Sequence, residues 1–182
     1  MQNTLIHPFS VAGVLMILAI ASTACLASAR TPAEPTSAAG ETAVPETYTL
    51  TSHFTRIVVV RLKNQADMLE GLRAAVAREK IRNAVILSGA GSLVSYHVHV
   101  VSNTTLPATE TFFQENGPFD LLTTNGYIIE GRVHAHISFA TPQKAMGGHL
   151  EPGTRVFTFA IITLGVLDEG ASLERMDDQT WR

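Results

Sequence analysis

Along much of the chain apolar and polar residues alternate with a period of two, which predicts strands. In one segment the apolar positions recur every three to four residues, which predicts a helix. The β-branched run Ile57-Val58-Val59-Val60, flanked by Arg56 and Arg61, reads as a short buried strand. Asp67 is placed to cap a helix, with Glu70 completing a capping box. Met68, Leu69, Leu72, Ala75 and Val76 then form its apolar face, and the helix ends near Lys80. Residues 83–93 form a buried strand running into Gly89-Ala90-Gly91. The third glycine and the helix of a dinucleotide-binding turn are missing, so the pair marks a sharp bend or bulge. Tyr96, Val98 and Val100 alternate with His97 and His99 in the next strand. Glycine and proline then separate strand-like segments at 109–114, 119–129, 132–140 and 155–167. One early helix among several strands implies an α+β fold, mostly antiparallel sheet with one main helix.

The first 29 residues carry no charged side chain and end in Ala27-Ser28-Ala29, which fits the small-x-small rule of signal peptidase. A signal peptide over 1–29 is expected, with a periplasmic or secreted product starting at Arg30. An uncleaved anchor is the alternative, and only then would the chain be tied to a membrane. Cys25 raises lipidation as a third reading, but Ser22 stands where a lipobox has a bulky aliphatic residue. Because Cys25 is the sole cysteine, a chain cut after Ala29 has no disulfide, thiolate metal site or cysteine nucleophile. Residues 30–51, rich in Pro, Ala, Thr, Ser and Glu, read as a flexible linker. Residues 52–168 are enough for one domain with a proper core, and 169–182 read as a polar tail in which Trp181 has no evident partner. The formal net charge of −3 leaves no basic footprint for nucleic acid.

The chemistry concentrates in Val133-His134-Ala135-His136-Ile137 and Gly147-Gly148-His149. In a strand, residues two apart share a face, so His134 and His136 stand side by side. A turn through Thr141-Pro142-Gln143-Lys144 brings the glycine pair and His149 back alongside. Three neutral imidazoles with an open fourth position suit a catalytic type of zinc site, with Zn–N distances of about 2.0–2.1 Å. The other reading is a pair of hydrogen-bonded histidines on a half-exposed strand. His97 and His99 form a second H-x-H, read as a solvated strand face rather than as ligands.

Taken in order, Val60-Arg61-Leu62, the helix ending before Ile81, Ile86-Leu87-Ser88-Gly89-Ala90-Gly91-Ser92, Gly117-Pro118-Phe119-Asp120-Leu121-Leu122 and the H-x-H to G-G-H segment resemble the plants-and-prokaryotes-conserved (PPC) domain. The resemblance covers about residues 54–167 and implies a compact α+β domain that forms a homotrimer. Plant members carry an AT-hook for DNA; this chain has no arginine-glycine-arginine hook, and no nucleic-acid partner is expected. The histidine segment is also similar to the zinc site of acetolactate decarboxylase. That likeness implies His134, His136 and His149 as zinc ligands and a small-molecule ligand at the metal.

Catalytic residues are not identified by spacing. Gly117 to Leu122 reads either as a partner or trimer surface or as a turn entering a strand. Arg61 reads as a salt-bridge partner of a helix carboxylate or as an anion-binding group near the metal. Glu130 reads as a solvated turn residue beside Gly131, as a general base, or as an acceptor that orients a metal ligand. Two functions remain: a non-catalytic metal-binding module, and a zinc-dependent lyase or hydrolase acting on a small carbonyl-containing substrate.

Overall fold

Among the described residues the strand-like segments, joined by Ala145–Leu150, form six strands of one antiparallel sheet, and the amphipathic segment forms the single α-helix. In the computed structural model, which describes residues 44–181, these are β1 (Phe54–Lys63), α1 (Met68–Arg78), β2 (Ala84–Val101), β3 (Glu110–Ile129), β4 (Arg132–Ala140), β5 (Ala145–Leu150) and β6 (Arg155–Leu167). The expected signal peptide, Cys25 and most of the first part of the linker lie outside the described residues. Among the described residues no helix is long and apolar enough to cross a membrane.

The strand order is β1-β6-β2-β3-β4-β5, and β5 also pairs with the far end of β2. β2, β3, β4 and β5 therefore close on one another, while β1 and β6 extend the sheet from the other side of β2. Inward-facing Val60, Leu62, Ile162 and Leu164 pack with Met68, Leu69, Leu72 and Val76 of α1, all of them buried. Each such side chain contributes about 1.5–3 kcal/mol by leaving water. Asp67 caps α1 as expected by accepting from Glu70 N at 3.1 Å, and it also accepts from Gly153 N at 2.7 Å. The cap thus ties the helix to the turn before β6.

Several elements differ from the sequence reading. The strand segments expected at 83–93 and 94–101 are one 18-residue strand, and those at 109–114 and 119–129 are one of 20 residues. The glycine and proline signals mark irregularities inside these strands rather than their ends. Register shifts fall between Ile86 and Ser88 and between Gly91 and Leu93 where β2 pairs with β6, and between Leu93 and Ser95 opposite Gly117-Pro118. At Gly91 a Cβ would stand 2.1 Å from the carbonyl oxygen of Phe159, so only glycine allows β6 to approach.

β1 is buried on one face only: Ile57 and Val59 are 53% and 63% exposed. Among the described residues Arg61 pairs with no helix carboxylate. It lies over the Phe159 ring at 5.9 Å, and the ion pair to the helix end is made by Arg56 with Glu79. The segment expected as a polar tail has buried anchors in Ala171 and Leu173, and the Ala171 carbonyl accepts from Asn83 Nδ2 at 2.9 Å. Trp181 does have partners: the Tyr48 ring at 5.4 Å, edge on, and Arg175.

Candidate metal centre

β4 sends Ala135, Ile137 and Phe139 into the core, so His134 and His136 face away from it on the opposite side of the strand. The hairpin to β5 sets His136 opposite His149, and the second pairing of β5 sets His99 of β2 opposite the same His149. His149 is thus the middle of a row contributed by three strands. Ring centroids are 5.5 Å apart for His134–His136, 5.0 Å for His134–His149 and 5.2 Å for His136–His149. The His99 ring stacks on His149 at 4.5 Å.

Two glycines make this approach possible. A Cβ on Gly147 would stand 2.5 Å from the Ile137 carbonyl oxygen, and one on Gly148 would stand 2.6 Å from that of His99. Any larger residue would hold β5 away from its neighbours.

Carboxylates flank the cluster. His134 Nδ1 donates to Asp177 Oδ2 at 3.3 Å, and His99 Nδ1 donates to Glu151 Oε1 at 2.7 Å. His149 Nδ1 is 3.4 Å from the same Glu151 oxygen but forms no hydrogen bond of good geometry, although it is shielded from water. A carboxylate beside Nδ1 favours the tautomer with the proton there, leaving Nε2 its lone pair. His99 differs, because its Nε2 also faces a carboxylate, Glu110, at 3.5 Å.

Burial, followed by the neighbouring imidazoles of His149, His134 and His99, holds the pKa of His136 below its ordinary 6.5. Burial and the imidazoles of His99 and His134 do the same to His149 against the opposing pull of Glu151. The lowered pKa values of His136 and His149, with a shielded His149 ring nitrogen lacking a hydrogen bond, make a donor set suited to a divalent ion.

The sequence reading set His99 aside as a ligand and did not single out Glu151 or Asp177. His99, His149 and Glu151 offer ligand atoms that all lie within 4.8 Å of one another, a cluster that could hold a metal. Alternation placed His99 correctly on the outer face of its strand but carried no sign that β5 would pair there. Asp177 arrives from the C-terminal 3-10 turn, Glu174–Asp177, in the segment read as a tail. His97 stands apart, its Nδ1 donating to the Pro152 carbonyl at 2.7 Å. Glu130 is held in the turn by Asn83, Arg82 and Ser172. The Asn83 and Arg82 contacts lower its pKa, which makes it a poor general base at neutral pH.

Comparison with known proteins bears on the fold that carries this cluster. Residues 50–168 match the sequence profile of the Plants and Prokaryotes Conserved (PCC) domain. A plant- and prokaryote-conserved protein from Pyrococcus horikoshii is similar in structure, with a TM-score of 0.59 and 22% identity over 69% of this chain and 87% of that one. A metal-containing protein from Archaeoglobus fulgidus gives 0.56 and 17% over 66% and 86%. Acetolactate decarboxylase from Bacillus subtilis subspecies spizizenii is more distant, at 0.44 and 14% over 63% and 54%, too slight a likeness to carry functional weight. No protein of curated function matches the chain.

Proposed function

The chain belongs to the Plants and Prokaryotes Conserved domain family, and from that premise we propose that it is an exported module that binds a divalent metal, zinc by preference, through His134, His136 and His149. The observation that carries this reading is the convergence of the three rings, 5.0 to 5.5 Å apart by centroid, on the outer face of one hairpin. The depressed pKa values of His136 and His149 support it, because ligands must be deprotonated to bind. Asp177 serves as the acceptor that orients His134, and Glu151 stands 3.4 Å from His149 Nδ1. The metal-containing archaeal protein is a precedent for metal on this fold. Its low identity leaves the ligands to be tested on this chain.

A second ligand set, His99, His149 and Glu151, is favoured by the closeness of its donor atoms. His99 is a weaker candidate, since both of its nitrogens already face carboxylates. Metal analysis of the purified protein with single histidine variants separates the two sets. A zinc-dependent lyase or hydrolase acting on a small carbonyl compound is the second functional reading, favoured by the cleft beside His134 and His149. Zinc in such a site supplies Lewis-acid polarisation of a carbonyl or a more acidic water.

We further propose a homotrimer without nucleic-acid binding. The exposed apolar face of β1 and β6, with Ile57, Val59, Phe157, Phe159 and Ile161, supports self-association, and the net charge of −3 argues against a nucleic-acid partner. Light scattering tests the first; a monomer mass would refute it. N-terminal sequencing of the exported product tests cleavage after Ala29, and a product retaining Met1 would refute it.

A further inference from the structure

A cleft of about 390 Å³ opens beside the histidine face, bounded by α1, the start of β4 and the C-terminal segment. Its lining joins His134 and His149 to two arginines, Arg73 of α1 and Arg132 of β4, with Asp177 at the side. We propose that this cleft is an anion site that takes a small carboxylate, held by Arg73 and Arg132 against the histidines. The proposal rests on the metal reading above and names the class of ligand that the site receives.

Among the described residues neither arginine is held by a buried carboxylate. Arg132 makes no ion pair with a carboxylate among the described residues. Arg73 pairs with Glu70 at 2.6 Å, an i,i+3 contact in which both side chains are at least half exposed. Such a pair is worth little and exchanges readily for a better partner. The acidic group in the cleft, Asp177, is engaged by His134 Nδ1 at 3.3 Å. That leaves two guanidiniums against one carboxylate already in use, and a divalent ion adds further positive charge.

The shape also selects the ligand. Guanidinium is a planar fork that meets a carboxylate through two parallel N–H donors. The cleft lies near the lower end of the size range of small-molecule sites, about 300–1,000 Å³. Val133 offers an apolar wall for a short alkyl group.

The test is calorimetric titration of the purified protein, zinc-loaded and metal-free, with propionate, its neutral isostere propionamide, and inorganic phosphate. Propionate should bind about tenfold or more tighter than propionamide. Arg73→Gln and Arg132→Gln should each weaken propionate by about tenfold, and Arg132→Lys should restore part of the loss. Equal binding of propionate and propionamide, or no effect of either glutamine variant, would overturn the proposal. Phosphate binding tighter than propionate would overturn the carboxylate assignment. Zinc content is measured on the same samples. Protein without zinc sinks the metal reading while the arginine dependence is still read in the metal-free titration. Zinc bound without arginine dependence sinks the anion site alone.

Discussion

Replacing Gly148 with alanine probes the link between strand packing and the metal centre. The new Cβ would stand 2.6 Å from the His99 carbonyl oxygen, 3.1 Å from Val98 Cβ and 3.2 Å from Val100 Cγ1. A backbone carbonyl cannot rotate away as a side chain can, so β5 must move off β2 by several tenths of an ångström. Only two residue pairs join these strands, Val98 with Leu150 and His99 with His149, so the junction is easily displaced. Overpacking of this kind costs about 1–3 kcal/mol. Metal sites tolerate ligand displacements of only about 0.2 Å, so moving His149 with its neighbour should weaken zinc binding by about tenfold or more. Gly131→Ala is the control. Gly131 has φ +77°, and a Cβ there meets nothing closer than the Ile81 carbonyl oxygen at 3.9 Å. Its backbone strain costs about 1–2 kcal/mol without displacing β5. Denaturant unfolding of the metal-free variants measures the stability loss, and zinc titration measures affinity. Wild-type zinc affinity in a destabilised Gly148→Ala protein, or equal zinc loss in both variants, would refute the reasoning.

Asp177→Asn keeps the shape of the group facing His134 but removes its charge, and zinc affinity should fall about 10–100-fold while urea unfolding of the metal-free protein changes little. Since burial and neighbouring imidazoles depress the pKa of His136 and His149, zinc should be retained on acidification below the ordinary imidazole value of 6.5; release at or above that pH, followed with a zinc indicator, would count against the site. The same shifts make the unfolded metal-free chain bind protons more readily than the folded one, so stability is full above pH 6.5 and declines as pH falls through the lower folded values, a trend read from urea midpoints. Phe139 is 1% exposed and packs between Tyr96 and Phe119 at 4.4 and 5.6 Å, so Phe139→Ala should cost about 3–5 kcal/mol in the same assay.

Local signals in the sequence translated well because their causes are local. Asp67 and Glu70 marked the helix start, since capping depends on residues within one turn. The H-x-H alternation and the glycine pair foretold a hairpin bringing His134, His136 and His149 together, as a period of two and close backbone approach require. Long-range pairing was not legible. Nothing near His99 reveals that β5 will close on β2, and nothing near Asp177 reveals that buried Ala171 and Leu173 will hold its segment against the sheet. Gly89-Ala90-Gly91 marks the bulge expected of it, whereas Gly117-Pro118 misled, because a bulge within a long strand has the same residues as a turn between two short ones. The outward half of β1 was misread as buried: a continuous apolar run looks the same whether its second face meets the core or a free surface.

The central claim is the identity of the ligands, and zinc content per chain in three purified proteins tests it most directly. The wild type should hold a single ion per chain, His136→Ala should lose it, and the His97→Ala, His99→Ala double variant should retain it. Undiminished zinc in His136→Ala, or its loss in the double variant, would contradict the account and move the site to His99, His149 and Glu151.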